Sequence, residues 1–421
     1  MREVLATKNT KDTKKTWPMV RLGDVCRFSR GLTYSKSDEV QVSSNAVLRS
    51  NNVDLESGHL ILDELKYIRD SIEIPTSKRV SKGSILMCTA NGSKQHLGKV
   101  ALIDGEYDYA FGGFMGLLTP NADIDSRYLY WQLMSFEFKR LVTSLTDGAN
   151  INNLKFADIS PFTFPLPPLS IQREIVARLE RELAAVEKIK KDFEALAETA
   201  KADYVAECRV IFERIAQEHP KVSLDDACEF IKDGTHQTPT YTDDIYRGYK
   251  FLSSKDVVTG EINWSKIRYI PKSLHDELYL HVAPQRGDIL LAKNGTTGIG
   301  ALVETDEVFD IYVSLALLRF KAGNNPRYLW YAVNSPQARE QYNAGLRGSG
   351  VPNLHLTEIR KVHICLPSVQ IQDKVVSELD AIKARAEKLE AKAREGVAVC
   401  ETMRKAILKE AFAPCCAGEV A

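Results

Sequence analysis

The second half of this 421-residue chain repeats the first at an offset of 200 to 204 residues. A repeat that long dictates two copies of one domain rather than a single large core. Val20, Leu22, Asp24, Cys26 and Phe28 return as Val222, Leu224, Asp226, Cys228 and Phe230. Lys82-Gly83-Ser84-Ile85-Leu86 corresponds to Arg286-Gly287-Asp288-Ile289-Leu290, and Asn91-Gly92-Ser93 aligns with Asn294-Gly295-Thr296. Towards the end of each copy the offset settles at 200: Arg127-Tyr128-Leu129 with Arg327-Tyr328-Leu329, Gly148 with Gly348, Asn153-Leu154 with Asn353-Leu354, Ile171-Gln172 with Ile371-Gln372.

Each copy changes composition partway. A mixed segment rich in Gly, aromatic and β-branched residues gives way to about fifty residues rich in Ala, Glu, Lys and Arg. Prolines mark the change. Pro161, Pro165, Pro167 and Pro168 stop any preceding element before Ser170 caps a helix, and Pro367-Ser368 stand in the same place in the second copy. The expected boundaries are 1–165 and 220–365 for the mixed domains, 166–219 and 366–412 for the helices, and 413–421 for a tail.

The mixed segments read as α/β (α+β) domains. Ser84–Cys88, Lys99–Ile103 and Phe111–Leu118 are expected strands, matched by Asp288–Ala292, Gly300–Val303 and Ile311–Phe320. One helix is expected in each, Ser126–Leu145 and Pro326–Ala344, with Asp125 and Asn325 as N-caps and Pro326 at the first helical position. The Ala/Glu/Lys segments carry heptads. Leu379, Ile382, Ala386, Leu389, Ala393, Gly396, Cys400, Met403 and Ile407 form one seam, and Leu179, Val186, Ile189, Phe193, Leu196 and Ala200 the other, with Leu183 one step off it. Two such stripes are most economically buried against each other as a coiled coil.

Composition narrows the function. There are 56 Lys+Arg against 56 Asp+Glu, so any nucleic-acid surface must be a local patch. The mixed segments are themselves balanced, 21 basic against 19 acidic in 1–165 and 17 against 17 in 220–365. No apolar run reaches the roughly 18 residues of a membrane helix, and MREVLATKNTKDTKK lacks a signal-peptide core, so a cytoplasmic protein with no membrane partner is expected. The eight Cys form no CxxC pair, the eight His have no metal-ligand spacing, and no Gly-x-x-x-x-Gly-Lys-Ser/Thr loop occurs. Pro167-Pro168 lies in Leu-Pro-Pro-Leu, unlike the Asp/Asn-Pro-Pro-Tyr/Phe of amino-methyltransferases. Neither a metal nor a cofactor is expected in this chain.

These residues together carry a resemblance over nearly the whole chain. Trp17-Pro18-x-Val20-x-Leu22-Gly23-Asp24-Val25, the Gly-Thr-x-x-Thr-Pro stretch Gly234–Pro239, Gly287-Asp288-Ile289-Leu290 before Asn294-Gly295, and the Asn-Leu…Leu-Pro…Ile-Gln close of each copy resemble the specificity (S) subunit of type I restriction–modification enzymes. The resemblance implies a non-catalytic subunit with two target-recognition domains, each reading one half of a gapped, asymmetric DNA sequence. It also implies two long helices paired antiparallel, with pseudo-two-fold symmetry, on which two methyltransferase (M) subunits dock. S-adenosylmethionine and ATP then belong to partner subunits, ATP with the restriction/motor (R) subunits. The first copy departs from the pattern at Gly31-Leu32-Thr33-Tyr34-Ser35-Lys36, which lacks the proline. If helix length sets the gap, inserting one helical turn should lengthen the preferred spacer by about one or two base pairs; an unchanged spacer in a methylation map of the variant would contradict this.

Double-stranded DNA calls for Arg or Lys at guanine edges and phosphates, Asn or Gln at adenine, and Ser or Thr at either. The first domain offers Arg30, Lys36, Arg49, Lys78, Arg79, Asn91, Ser93, Lys94, Gln95 and His96. The second offers Lys232, Thr235, His236, Gln237, Lys255, Lys293, Asn294, Thr296, Thr297 and Arg347. Lys8, Lys11, Lys14 and Lys15 read either as a DNA-contacting arm or as a tail. The competing reading is a coiled-coil scaffold whose α/β domains bind proteins. The neutral charge suits that reading, and the polar Asn-Gly loops suit DNA.

Overall fold

The computed structural model describes residues 17–146, 153–257, 260–295, 297–346 and 353–412. Thr296, Arg347, Gly148, Gly348, the four N-terminal lysines and the tail 413–421 lie outside the described residues. The chain divides into two compact units, one running to Asp192 and resuming at Gly396, the other Phe193–Glu395.

In the first unit an antiparallel sheet has the order Cys26–Arg30, Met115–Pro120, Ile85–Cys88, Val100–Leu102. A second sheet orders Glu39–Val40, Lys66–Ile68, Asn45–Leu48 and Ala110–Phe111, the last pair parallel. The other unit repeats this plan. Cys228–Asp233, Leu315–Phe320, Ile289–Ala292 and Gly300–Leu302 form its antiparallel sheet. Arg268–Ile270, Tyr249–Leu252 and Phe309–Ile311 form its smaller one, again with one parallel pair. In both units a three-residue ribbon joins the start of the mixed segment to its end, Met19–Arg21 on Thr163–Pro165 and Lys221–Ser223 on His363–Cys365.

Two corrections to the expected strands follow. Phe111–Leu118 is not one strand but the ends of two, Ala110–Phe111 and Met115–Pro120, in different sheets. Gly112-Gly113-Phe114 turns the chain between them, and Met115 N donates to Gly112 O at 2.8 Å. Ile311–Phe320 divides the same way into Phe309–Ile311 and Leu315–Phe320.

The single helix expected in each unit is also two, Ser126–Met134 with Phe136–Thr146, and Pro326–Asn334 with Pro336–Ala344. Ser135 and Ser335 are extended at the break, and each hydroxyl accepts from the backbone N–H three residues on, Phe138 and Ala338, at 3.2 Å. That cap satisfies a donor the second helix would otherwise leave open. Asp125 and Asn325 cap the first helices as expected, accepting from the two N–H groups of Arg127/Tyr128 and Arg327/Tyr328.

The long helices are α1, Leu169–Glu218, and α2, Val369–Ala411. α1 begins before Ser170, so this serine sits in the first turn rather than at the cap. Each unit holds a stretch of both helices, running antiparallel: Arg214 meets Glu378 at 2.6 Å while Glu207 pairs with Arg385 in one unit, and Lys190 faces Glu401 at 3.7 Å in the other. Leu379, Ala386, Ala393, Gly396 and Cys400 are buried along α2, whereas Met403 is 44% exposed and Leu408 takes the buried place. On α1 Leu179, Val186 and Ala200 are buried as expected and Phe193 is half-buried, but the alternate positions of the seam lie one residue further along. Ile189 and Leu196 face out, while Leu183 packs into the core with Val176, Leu179, Ile407 and Phe412. Half-buried Lys190 takes the inner place expected of its neighbour Ile189, its ammonium on Glu401.

The helices are tied to the mixed segments by the same polar joint in each unit. The Gln172 side chain is fully buried; its carbonyl accepts from Asp125 N at 2.8 Å, and its amide donates to Pro167 O at 2.7 Å and Asp123 O at 3.1 Å. Gln372 does likewise with Asn325 N (2.8 Å), Pro367 O (2.9 Å) and Asn324 Oδ1 (2.8 Å). Tyr128 and Tyr328 hydroxyls add bonds to Pro165 O and Cys365 O. Among the described residues no helix is long and apolar enough to cross a membrane, and no group of three or more His, Cys, Asp or Glu is placed to hold a metal.

Candidate nucleic-acid interface

In the first unit, Cys26–Arg30 and Ile85–Cys88 are both antiparallel to Met115–Pro120, so their C-terminal ends and its N-terminal start lie at one end of the sheet. The loops leaving that end are stitched together by backbone bonds. Gly31 N donates to Met115 O, Leu32 N to Phe111 O, Thr89 N and Ala90 N to Phe114 O, and Gly112 N to Leu48 O. They enclose an open cleft of about 970 Å³ lined by Tyr34, Lys36, Arg49, Asn51, Asn91 and Phe114, among others. The sheet thereby presents Lys36 and Arg49, with Glu39, Asn51 and Asn91, among apolar groups on its loops, where binding residues concentrate.

Arg49 sits deepest. A short turn fixes its backbone, with its N–H on Asn52 Oδ1 and its carbonyl accepting from Asn52 N, both at 2.9 Å. Its Nε is buried with no hydrogen-bond partner. Asn91 is held rather than free: its amide donates to Ser50 Oγ at 2.8 Å, and its oxygen accepts from Ser93 N at 2.9 Å.

The structure sorts the remaining expected residues. Lys94 and Gln95 line a different, smaller cleft of about 300 Å³ beside Asp54 and Thr146, and Lys94 donates to Thr146 O at 2.7 Å. His96 is half-buried, with its Nδ1 unpartnered. Lys78 donates to Arg30 O at 2.7 Å, and Arg30 lies 5.6 Å from the Phe156 ring centre. Arg79 is engaged on Asp108 at 2.8 Å and on Asn45. In the second unit His236 and Gln237 are exposed, Lys255 is exposed, and Lys232 donates to His281 O at 3.3 Å. Thr235 accepts from Gln237 N at 3.2 Å.

Two of the expected residues are buried. Lys293 is buried and paired with Asp233, and Thr297 is buried, its carbonyl accepting from Arg339 at 3.2 Å. Both side chains are withdrawn from solvent in this arrangement, and moving Lys293 outward would strand a mostly buried carboxylate. The alignment of Asn91 with Asn294 also shifts. Thr89 O and Lys293 O accept from the equivalent Leu154 and Leu354 N–H groups, and Ala90 and Asn294 make the equivalent bridges to Asn153 and Asn353. Asn294 therefore stands opposite Ala90. Gly98 and Gly298 close the loop equivalently, on Cys88 O and Ala292 O, so the first unit's loop is longer, and the segment holding Lys94–His96 has no counterpart.

One buried group went unread in the sequence. His275 Nδ1 and Asp310 Oδ2 are 2.7 Å apart, the imidazole stacks on Tyr249 at 3.7 Å, and Asp310 Oδ1 has no partner. Asp310 is 1% exposed, and burial pushes its carboxyl up to about 6, the bond to His275 opposing the rise. A carboxyl raised in the folded state stabilises fully below its unfolded value of 3.8, and that contribution is lost as pH climbs through 6. Asp310→Asn should therefore flatten the loss of stability between pH 4 and 7 by about 1–3 kcal/mol. Urea unfolding of both proteins across that range checks it, and parallel curves would contradict it.

Matches to known proteins agree with this architecture. The family model for the type I restriction modification DNA specificity domain matches twice, over residues 14–195 and 221–397. The chain is 25% identical over 417 residues to the EcoKI specificity subunit of Escherichia coli K12, covering 94% of this chain and 88% of that one. It is 24% identical over 396 residues to the MjaVIII specificity subunit of Methanocaldococcus jannaschii, with coverage of 87% and 86%. Among solved structures, a chain from a study of complex assembly and conformational transition in a type I R-M system superposes with a TM-score of 0.67 at 19% identity, over 94% of this chain and 97% of that one. The HsdS subunit from Thermoanaerobacter tengcongensis gives 0.54 at 19% identity, over 94% and 96%. With both copies of the repeat matched by one model, the chain belongs to the type I restriction–modification DNA specificity family.

Proposed function

We propose that this chain is the subunit through which a type I complex reads an asymmetric, two-part DNA sequence, one half-site by each mixed domain, 1–165 and 220–365. The observation that carries this is where the two copies agree and where they differ. Gln172 and Gln372, Asp125 and Asn325, and Tyr128 and Tyr328 make equivalent framework bonds. The loops at the sheet end diverge: Gly112-Gly113-Phe114 stands against Tyr312-Val313-Ser314, Arg49 against Ser253, and one loop is lengthened in the first copy. Equal frames with unequal reading loops suit unequal half-sites, since framework and phosphate contacts can be duplicated while base contacts differ. The scaffold alternative gives no reason for loop divergence to centre on an Arg- and Lys-lined cleft.

Catalysis lies with partners. The chain docks two methyltransferase subunits on α1 and α2, and S-adenosylmethionine and ATP serve those and the restriction subunits, in the cytoplasm. With no net charge, the chain alone binds DNA weakly, and the assembled complex tightly. The test is selection from randomised duplexes by the complex of this chain with its methyltransferase partner. Enrichment of two fixed blocks at a fixed separation is expected; a single palindromic block, or none, would refute the reading.

A further inference from the structure

Phe114 is 73% exposed at the mouth of the first unit's cleft. Single exposed apolar groups are ordinary on a protein surface, but this ring lines a cleft together with an arginine. The residue is not loose. Its carbonyl accepts from Thr89 N, Ala90 N and Thr89 Oγ1, each at 3.0 Å, and the turn behind it is closed by Met115 N on Gly112 O. A ring held out on a fixed backbone loses little freedom on binding.

Arg49 lines the same cleft, its Nε buried and without an acceptor. A buried N–H with no partner is an unfavourable state, and a modest outward shift of the guanidinium would let an acceptor in the cleft relieve it. Gly112 keeps the approach open: a Cβ there would lie 3.7 Å from Arg49 Cγ, so any longer side chain would crowd the arginine stem. In the second unit both features are missing together. Ser253 replaces Arg49, Tyr312 replaces Gly112 and packs 6.1 Å from Phe251, and Ser314 replaces Phe114, turned inward to accept from Ser254 N at 3.0 Å.

We infer that Arg49 and Phe114 form one base-reading device peculiar to the first half-site. The guanidinium donates to the acceptor edge of a base, a guanine satisfying it best, and the ring packs on the adjacent base. Phe114 is then a specificity-determining residue that lies outside the polar set usually sought at a DNA surface. The inference rests on the DNA-reading function proposed above and adds which residues select bases in this half.

The test uses the full chain co-expressed with its methyltransferase partner, the methylated motif being mapped for wild type, Phe114→Ser, Arg49→Ser and Arg49→Lys. Thermal unfolding of each variant verifies the fold. Arg49→Ser should relax one base position of one half-site and slow modification of the original motif roughly ten- to hundredfold. Phe114→Ser should relax the neighbouring position of the same half-site, and Arg49→Lys should retain part of the guanine preference. The other half-site stays unchanged in all three. Variants that keep the wild-type motif and rate would overturn the inference. So would an equal loss at every sequence with the fold intact, which marks phosphate contacts only. A wild-type chain yielding no two-part motif would instead refute the function beneath it.

Discussion

Gln372→Leu is expected to lower the stability of the second unit by about 3–5 kcal/mol. Leucine nearly matches the volume of glutamine, so the packing term is small. What is lost is the set of three bonds, to Asn325 N, Asn324 Oδ1 and Pro367 O, at a position 1% exposed. The Asn325 N–H and Pro367 carbonyl then lack their partner in the interior, each costing about 1–3 kcal/mol. Because Asn325 also caps the helix Pro326–Asn334, that helix should fray first. Denaturant unfolding gives the difference, and hydrogen exchange at Tyr328 and Leu329 locates it. A loss below 1 kcal/mol would mean that water replaces the amide.

Asp288→Ser should cost a similar amount, about 3–5 kcal/mol, for a different reason. Asp288 is 3% exposed, accepts from Arg319 Nε and Nη2 at 2.9 and 2.7 Å, and holds Gln285 N at 2.8 Å. Removing the carboxylate leaves a largely buried guanidinium unpaired. The first unit solves the same position without charge. Ser84 and Thr119 stand where Asp288 and Arg319 do, and Ser84 Oγ accepts from Ser81 N at 3.3 Å to close the same turn. The double change Asp288→Ser with Arg319→Thr should therefore recover at least half of the single variant's loss. A double-mutant cycle in urea measures this coupling, and additive losses would contradict it.

That paired exchange explains what sequence comparison registers only as drift from Gly-Asp-Ile-Leu to Gly-Ser-Ile-Leu. The domain plan, the two long helices and the caps at Asp125 and Asn325 were legible because each rests on local chemistry or on the repeat itself. The break within each helical pair was signalled in the second copy by Pro336, whose predecessor avoids the helical region, but Ser135-Phe136 carries no such mark. Half of the α1 seam is legible in Leu179, Val186 and Ala200; the other half slips by one residue because Ile189 and Leu196 look like core while half-buried Lys190 does not.

Residue type nominates candidates for the site but does not give their accessibility. Lys293 and Arg79 have the chemistry of DNA contacts, yet their ion pairs with Asp233 and Asp108 depend on tertiary neighbours far along the chain. Phe114 was hidden for the opposite reason. It sits in an apolar run that reads as strand, and only the turn at Gly112-Gly113 turns its ring outward. The one-residue shift of Asn294 against Asn91 likewise appears only when backbone bonds, not identities, set the register.

The measurement that bears most directly on the account is the single-base map of adenine methylation in the source genome, with and without this gene. Removal should erase one asymmetric motif of two unequal parts separated by a fixed gap, leaving other motifs untouched. An unchanged map from a strain in which the gene and its methyltransferase partner are expressed would contradict it.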